Sequence, residues 1–350
     1  MGIGPYASHV TSGEHAAEPE SFVVRLQSGE RLHYLDWGAP GALRDPSREP
    51  GDPSIAPGDP SIVPGDPPPL PLVLVHGIAQ TAWSWAPVAR RMCAVTRVLA
   101  LDLRGHGLSD APRSGYDLET LALDVLTVMS GNGWGVDVGG PPSVLAGHGF
   151  GAQICVTAAA SRPGSVAGVA LLDGGWEEVG EQTRSTPAEF LATIAEPPEV
   201  LASMDAFLAD RRDFDPGTWD SDQERAARAQ VDQKHAGHVG SVVRAGVLRQ
   251  VVDAMFAYQP LEALAKVAAP VVILVAEAAT ADDEDERERR LALVDVTRAR
   301  GEAALPPPRV VRFPGAGHNL MRYRAAEVAD ELTALLGSAA TSARTPDDPA

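Results

Sequence analysis

Cysteine and lysine are almost missing from this chain, and so is any long run of apolar residues. Cys93 and Cys155 are the only two cysteines in 350 residues. Both lie in apolar, periodic segments, which predicts buried free thiols and leaves no material for a disulfide framework or a cysteine metal centre. Lys234 and Lys266 are the only lysines, and the formal charge is -18. So acidic a chain offers no basic face to nucleic-acid phosphates, and it disfavours docking on an anionic membrane. No stretch is long and apolar enough to span a bilayer. Met1 to Glu20 lacks the basic flank and apolar centre of a secretory signal, so the expected location is the cytoplasm.

What is present is the material of a globular protein, 44% hydrophobic and 22% charged, long enough for one large domain or two ordinary ones. Residues 1–20 are polar and aperiodic and read as disordered. Ser21–Gln27 and Arg31–Trp37 alternate around Ser28-Gly29-Glu30, which predicts a β-hairpin. Pro50-Gly51-Asp52-Pro53-Ser54-Ile55-Ala56 repeats at Pro57–Val63 and begins again at Pro64. That repeat cannot form a helix or a ladder, so 44–70 is expected to be a surface insertion. Continuous apolar strands then alternate with helices. Leu72–Val75, Arg97–Leu101, Ser143–Ala146 and Val166–Leu172 are separated by helical patterns, one of them capped by Asp117. This order predicts an α/β fold, a mostly parallel, doubly wound sheet covered on both faces.

The strand signal stops from 174 to about 262, where helical spacing dominates, and returns at Val271–Val275. An all-helical cap over the strand ends is the expectation, dividing the core domain into 21–173 and 263–337. His235 and His238 lack a third ligand with metal spacing and are placed on a surface helix. The charge run Asp282–Arg290 is read as a solvated helix face. The tail, 338–350, is expected to be disordered.

Chemistry concentrates in four short motifs at strand ends. His76-Gly77 follows one strand, and Asp102-Leu103-Arg104-Gly105-His106-Gly107 another. Gly147-His148-Gly149-Phe150-Gly151 makes a strand-to-helix turn, and Gly315-Ala316-Gly317-His318 follows the last strand. The third has the frame of a nucleophile elbow, a strained turn that lifts one side chain above a parallel sheet. The side chain itself is lacking, because glycine stands at position 149.

In this order the motifs resemble the α/β-hydrolase superfamily, its capped esterase and epoxide-hydrolase-like branch, over about residues 21–337. The resemblance implies His318 as general base and an oxyanion hole formed by the main-chain N–H groups of Ile78 and Phe150. It leaves the orienting acid open among Asp173, Asp282 and Glu277. His76, Gly77, Trp83, Trp85, His148 and Trp176 are expected around a small apolar substrate or ligand. No cofactor and no metal is implied. Ser84, Ser109, Asp102 and Cys155 read as turn or core residues rather than replacement nucleophiles. Three readings remain: an enzyme working through His318 without a covalent intermediate, an inactive descendant that binds a small ligand or serves as a scaffold, or a conventional esterase-like hydrolase with a single Ser→Gly change at the elbow.

Overall fold

The computed structural model describes residues 17–39, 69–233, 237–278 and 283–343. Its core is a sheet of eight strands: β1 (Glu20–Arg25), β2 (Arg31–Asp36), β3 (Leu72–Val75), β4 (Val98–Leu101), β5 (Ser143–His148), β6 (Val166–Leu172), β9 (Val271–Glu277) and β10 (Arg309–Pro314). They lie in the order β1-β2-β4-β3-β5-β6-β9-β10. β1 pairs with β2 and β2 with β4 antiparallel, and the other five pairs are parallel. The chain passes from β3 to β4 on one side and returns to β5 on the other. The loops after β3 and β5 therefore part from each other at a topological switch point, where ligand crevices of open α/β sheets form.

Alternation explains why both faces are covered. Val73, Val75, Leu145, Val169, Leu171 and Ile273 join one core cluster. Leu72, Leu74, Val144, Ala146, Ala170 and Leu274 join the other. A buried side chain of this size stabilises by roughly 1.5–3 kcal/mol, so apolar residues on both parities fix the sheet inside two helical layers. α1 (Ala86–Met92), α11 (Leu320–Tyr323) and α12 (Ala325–Ala343) cover the second cluster; α2 (Leu118–Gly131) and α3 (Phe150–Ser161) cover the first. Asp117 caps α2 by accepting from the Thr120 N–H at 2.8 Å.

Between β6 and β9 lie α4 (Val179–Thr183), α5 (Pro187–Thr193), α6 (Met204–Phe214), α7 (Ser221–Ala229), α8 (Ala245–Ala257) and α9 (Pro260–Leu264). The insert is not all helical. β7 (Val231–Gln233) and β8 (Val239–Ser241) pair antiparallel, so His238 stands at a strand connection and not on a helix. Three-residue strands are too short for period-2 alternation to register in the sequence. Phe207, Leu208, Ala227, Val231 and Val239 give this part a small core of its own, while Val247, Val251 and Met255 of α8 belong to the main one.

After β9, α10 (Asp283–Glu302) packs back on the sheet. Its Arg300 is fully buried and donates to the carbonyls of Pro306, Leu264 and Val267. That bond set ties the helix to the α9–β9 turn.

Three other expectations meet differences. The tail is helical through Ala343, because Leu332, Leu335, Leu336 and Ala339 keep one face of α12 buried past Gly337. The N-terminal segment is held from residue 17 onward: Arg90 donates to the Ala17 carbonyl and pairs with Glu18. Cys93 is only half-buried, whereas Cys155 is fully buried. Residues 1–16 and all but the last two residues of the 44–70 insertion lie outside the described residues. No helix among the described residues is long and apolar enough to cross a membrane.

Candidate active site

Val75 and Gly147 are register partners on β3 and β5, so the His76-Gly77-Ile78 loop and the elbow emerge side by side. The elbow is crowded. A Cβ on Gly147 would stand 2.3 Å from the Gly151 carbonyl, and one on Gly151 would stand 2.3 Å from that of Val75. Only glycine lets the strand and helix approach so closely. Gly149 has φ 52° and ψ -115°, the left-handed backbone that holds an elbow residue clear of the sheet. Phe150 opens α3, so its N–H belongs to the first turn, which intrahelical bonds do not reach.

His318 follows β10 and faces this turn. A Cβ at Gly149 would lie 3.5 Å from its Nε2, near enough that a hydroxyl one bond further out comes within hydrogen-bond reach. The Nδ1 atom of His318 lies 2.7 Å from Asp173 Oδ2. Asp173 Oδ1 accepts from the Ala276 N–H at 2.9 Å and from Arg289 Nη2 at 2.6 Å. Burial alone would push the Asp173 carboxyl up; its bond from His318 and the charge of Arg289 outweigh that and hold it below the usual range. Asp173 is therefore an ionised acceptor. It fixes the proton on His318 Nδ1 and leaves the Nε2 lone pair facing Gly149. The His318 side chain is 59% exposed, so that lone pair is open to a small molecule.

Asp173 itself sits at φ 46°, a conformation costly for a side-chain-bearing residue and held here by the three partners of its carboxylate. Arg289 also bonds Glu177 Oε1 at 3.1 Å and the Ala276 carbonyl at 2.9 Å. One guanidinium thus serves two buried carboxylates. It belongs to the charge run expected to be a solvated face; this member of the run turns inward. Nothing in the sequence marked it out from Arg287 or Arg290.

The remaining acid candidates separate cleanly. Glu277 pairs with Arg312 at 2.7 Å, and Asp282 lies outside the described residues. The residues expected around a substrate divide as well. Trp85 and Trp176 are fully buried in opposite core clusters, so neither stands free at His318. Trp176 underlies Arg289 and lines a groove of about 590 Å³ with Glu177, Leu261 and Arg289, behind Asp173. Trp83 packs edge-on against Trp37 and beneath Arg225 of α7.

The histidines expected at the substrate are structural by their bonds. His76 is buried, accepts from the Leu103 N–H at Nε2 and donates from Nδ1 to the Gly77 carbonyl. His148 is 1% exposed, with its ring nitrogens 3.1 Å from Gln80 Oε1 and 3.1 Å from the His318 carbonyl. Burial, and then the neighbouring His318, push its pKa down to about 3, and a neutral ring donates to one of these two oxygens. Gly77 is required beside it, since a Cβ there would stand 2.7 Å from His148 Nδ1. Gln80 also accepts from the Gly77 N–H at 3.1 Å and donates to Asn319 Oδ1 at 2.8 Å. It ties the loop after β3 to the His318 loop, a role no motif in the sequence announced.

Ser109 and Cys155 are committed elsewhere. Ser109 donates to the Asp102 carbonyl, and the buried Cys155 thiol is pushed far up by desolvation. Among the described residues, no group of three or more His, Cys, Asp or Glu is placed to hold a metal ion.

The model of the Alpha/beta hydrolase family matches residues 72–331, and the chain belongs to that family. It is 36% identical over 104 residues to the 2-(acetamidomethylene)succinate hydrolase of Mesorhizobium japonicum, which is 29% of this chain and 35% of that one. It is 28% identical over 167 residues to Lipase LipV of Mycobacterium tuberculosis, 47% of this chain and 57% of that one. The matched stretch thus spans about a third of the first relative and little over half of the second. The crystal structure of E-2-(acetamidomethylene)succinate hydrolase superposes with a TM-score of 0.67 at 21% identity, over 91% of this chain and 99% of that one. The epoxide hydrolase CorEH does so with a TM-score of 0.58 at 18% identity, over 92% and 99%. Likenesses at that identity describe the shared fold.

Proposed function

We propose that this family member hydrolyses a small, uncharged, ester-like or carbonyl substrate through His318, without an acyl-enzyme at the elbow. The observation that carries this reading is the pairing of His318 with ionised Asp173, which leaves an open Nε2 above Gly149. In the proposed step, Nε2 takes a proton from water as the water oxygen attacks the substrate carbonyl, and it returns that proton to the leaving alcohol as the ester C–O bond breaks. The N–H groups of Ile78 and Phe150 receive the developing oxyanion. An oxyanion donor contributes roughly 3 kcal/mol where it is aimed correctly, and general base assistance contributes about 10²–10⁴-fold. Together these suit a reactive ester and fall short of an amide. The charge of -18 disfavours an anionic substrate, and Arg289 is already committed to Asp173 and Glu177.

Gly149 favours a second reading, a small-ligand binder that keeps the frame and has given up the chemistry. Turnover of p-nitrophenyl acetate by the full chain separates the two. The enzyme reading expects multiple turnovers that fall about 100-fold in His318→Ala. Equal rates in both proteins would leave the binder.

A further inference from the structure

A complete Ser-His-Asp hydrogen-bond relay lies away from the elbow, on the hairpin edge of the sheet. Ser21 Oγ of β1 is 2.6 Å from His33 Nε2 of β2, and His33 Nδ1 is 2.7 Å from Asp102 Oδ2, just past β4. His33 and Asp102 are each 2% exposed, whereas Ser21 is exposed. The protons have one consistent arrangement. Asp102 also accepts from the Ala82 N–H at 2.7 Å and the Leu108 N–H at 3.0 Å. These bonds favour its ionised, acceptor-only form, so Nδ1 carries the imidazole proton. The Nε2 lone pair then accepts the Ser21 hydroxyl proton, which is the geometry that activates a serine.

The backbone supplies a donor as well. The Leu26 N–H bonds the Glu30 carbonyl, while the Asp102 N–H bonds the His33 carbonyl. With the register Val23–His33 and Ser21–Leu35, alternation makes Ser21 a member of a non-hydrogen-bonded pair. Its N–H points away from β2, toward an edge where β1 has no neighbouring strand among the described residues. Val23, opposite His33 and 57% exposed, places an apolar surface on the same face.

The geometry points to Ser21 as a second nucleophile, one that accepts an acyl group from a small activated ester or a phosphoryl group from a fluorophosphate, with His33 as its base and Asp102 positioning His33. Ser21 Oγ bonds to the ester carbonyl carbon as His33 Nε2 takes the hydroxyl proton. The bond to the leaving alcohol breaks, and that proton passes to the departing oxygen. The Ser21 N–H lies on the side open to the oxyanion. With diisopropyl fluorophosphate the new bond is O–P, fluoride leaves, and His33 passes the proton to solvent.

The test treats the full chain with diisopropyl fluorophosphate and locates the adduct by peptide mass spectrometry. Ser338 serves as internal reference, since it is exposed and donates only to the Leu335 carbonyl. Ser21 is expected to label about 100-fold faster than Ser338, the lower range of general-base assistance. The rate should be unchanged in His318→Ala, and no adduct should form at that peptide in Ser21→Ala. Labelling of Ser21 no faster than Ser338 would overturn the proposal, whatever becomes of the His318 reading. So would a His33→Gln protein that keeps the wild-type circular dichroism and still labels at the wild-type rate. If His33→Gln does not fold, the ratio of Ser21 to Ser338 in wild type decides alone.

Discussion

His318–Asp173 and His33–Asp102 are the same bond twice, 2.7 Å in each case, built in two different settings. Each aspartate lies just past a strand of the sheet, β6 for Asp173 and β4 for Asp102. Each accepts a main-chain N–H from a neighbouring segment, Ala276 in one case and Ala82 in the other. A buried carboxylate at a strand end is thus satisfied by whatever donors converge there, and a histidine is one such donor. What differs is the surroundings. Around His318 the backbone has the strained turn, the unbonded helix N-terminus and an open imidazole, while glycine occupies the attacking position. Around His33 the attacking hydroxyl is present, but it stands on an extended edge strand with one main-chain donor. The comparison shows that an imidazole–carboxylate pair is an anchoring device first. Catalytic power depends on the third group and on the dipoles that meet the developing charge.

The strongest way to break the comparison is to give the first setting what the second has. Gly149→Ser should raise turnover of p-nitrophenyl acetate by about 10³-fold or more, since the loss of a triad serine costs more than that elsewhere. Adding His318→Ala should abolish the gain. The φ of 52° at this position should make Gly149→Ser less stable by roughly 1–3 kcal/mol, visible in urea melts. A stable but inert Gly149→Ser would mean that the donors or the substrate path are no longer aligned.

Arg289 marks the electrostatic difference, because Asp173 is neutralised by a guanidinium while the carboxylate of Asp102 meets neutral donors and His33. Arg289→Met leaves Asp173 with only His318 and the Ala276 N–H, and Glu177 without its guanidinium, both at most 7% exposed. Breaking a buried pair on one side costs about 3–5 kcal/mol. The variant should melt far below wild type at pH 7 and recover part of the gap on acidification, as one carboxylate takes up a proton. A melting temperature within a few degrees of wild type would show that solvent already reaches the pair.

A third measurement concerns the neutral histidines around the first setting. Burial drives His106 and His148 down to about 3 from 6.5, and it lowers His76 as well. Between those values the unfolded chain binds protons that the folded chain refuses, so stability is present above about pH 6.5 and is lost as pH falls. Each fully depressed histidine contributes a slope of roughly 1.4 kcal/mol per pH unit in that window. Glu177 and Asp124, both pushed up by burial, titrate in the opposite sense and flatten the curve near its acid end. Thermal melts from pH 7 to 4.5 should fall steadily. A flat profile would place protonated histidines inside the folded protein.

These settings were unequally legible in the sequence. The succession of strands and helices, the elbow frame and His318 lie in contiguous motifs or apolar strands, where period and glycine spacing carry the signal, whereas Asp173 is one of three acids the sequence leaves open. Arg289 and Gln80 act through contacts 116 and 239 residues distant, to Asp173 and Asn319, and no local pattern encodes such a pairing. The tryptophans misled for a related reason. Proximity to a strand end does not say whether a large ring faces the crevice or the core, and Trp85 and Trp176 face the core. The second relay joins β1, β2 and the end of β4, and it becomes visible only once the hairpin register is known.

The smallest effect asks what Ser21 does for the fold, apart from any reactivity. His33 Nε2 is buried, and in Ser21→Ala it loses its partner. A buried acceptor left unsatisfied costs roughly 1–3 kcal/mol, but Ser21 itself is exposed, and water entering the vacated volume can donate in its place. The expected loss is therefore about 1 kcal/mol, or about 2–4 °C in melting temperature for a domain of this size. Ser21→Thr keeps the hydroxyl and suits an extended strand, so it should lose less. If Ser21→Ala is instead as stable as wild type, the relay is not held for stability and the hydroxyl is free to serve chemistry. A loss well above 3 kcal/mol would mean that the Ser21–His33–Asp102 chain is chiefly a clasp between the hairpin and the sheet, and a serine so tightly held would label slowly.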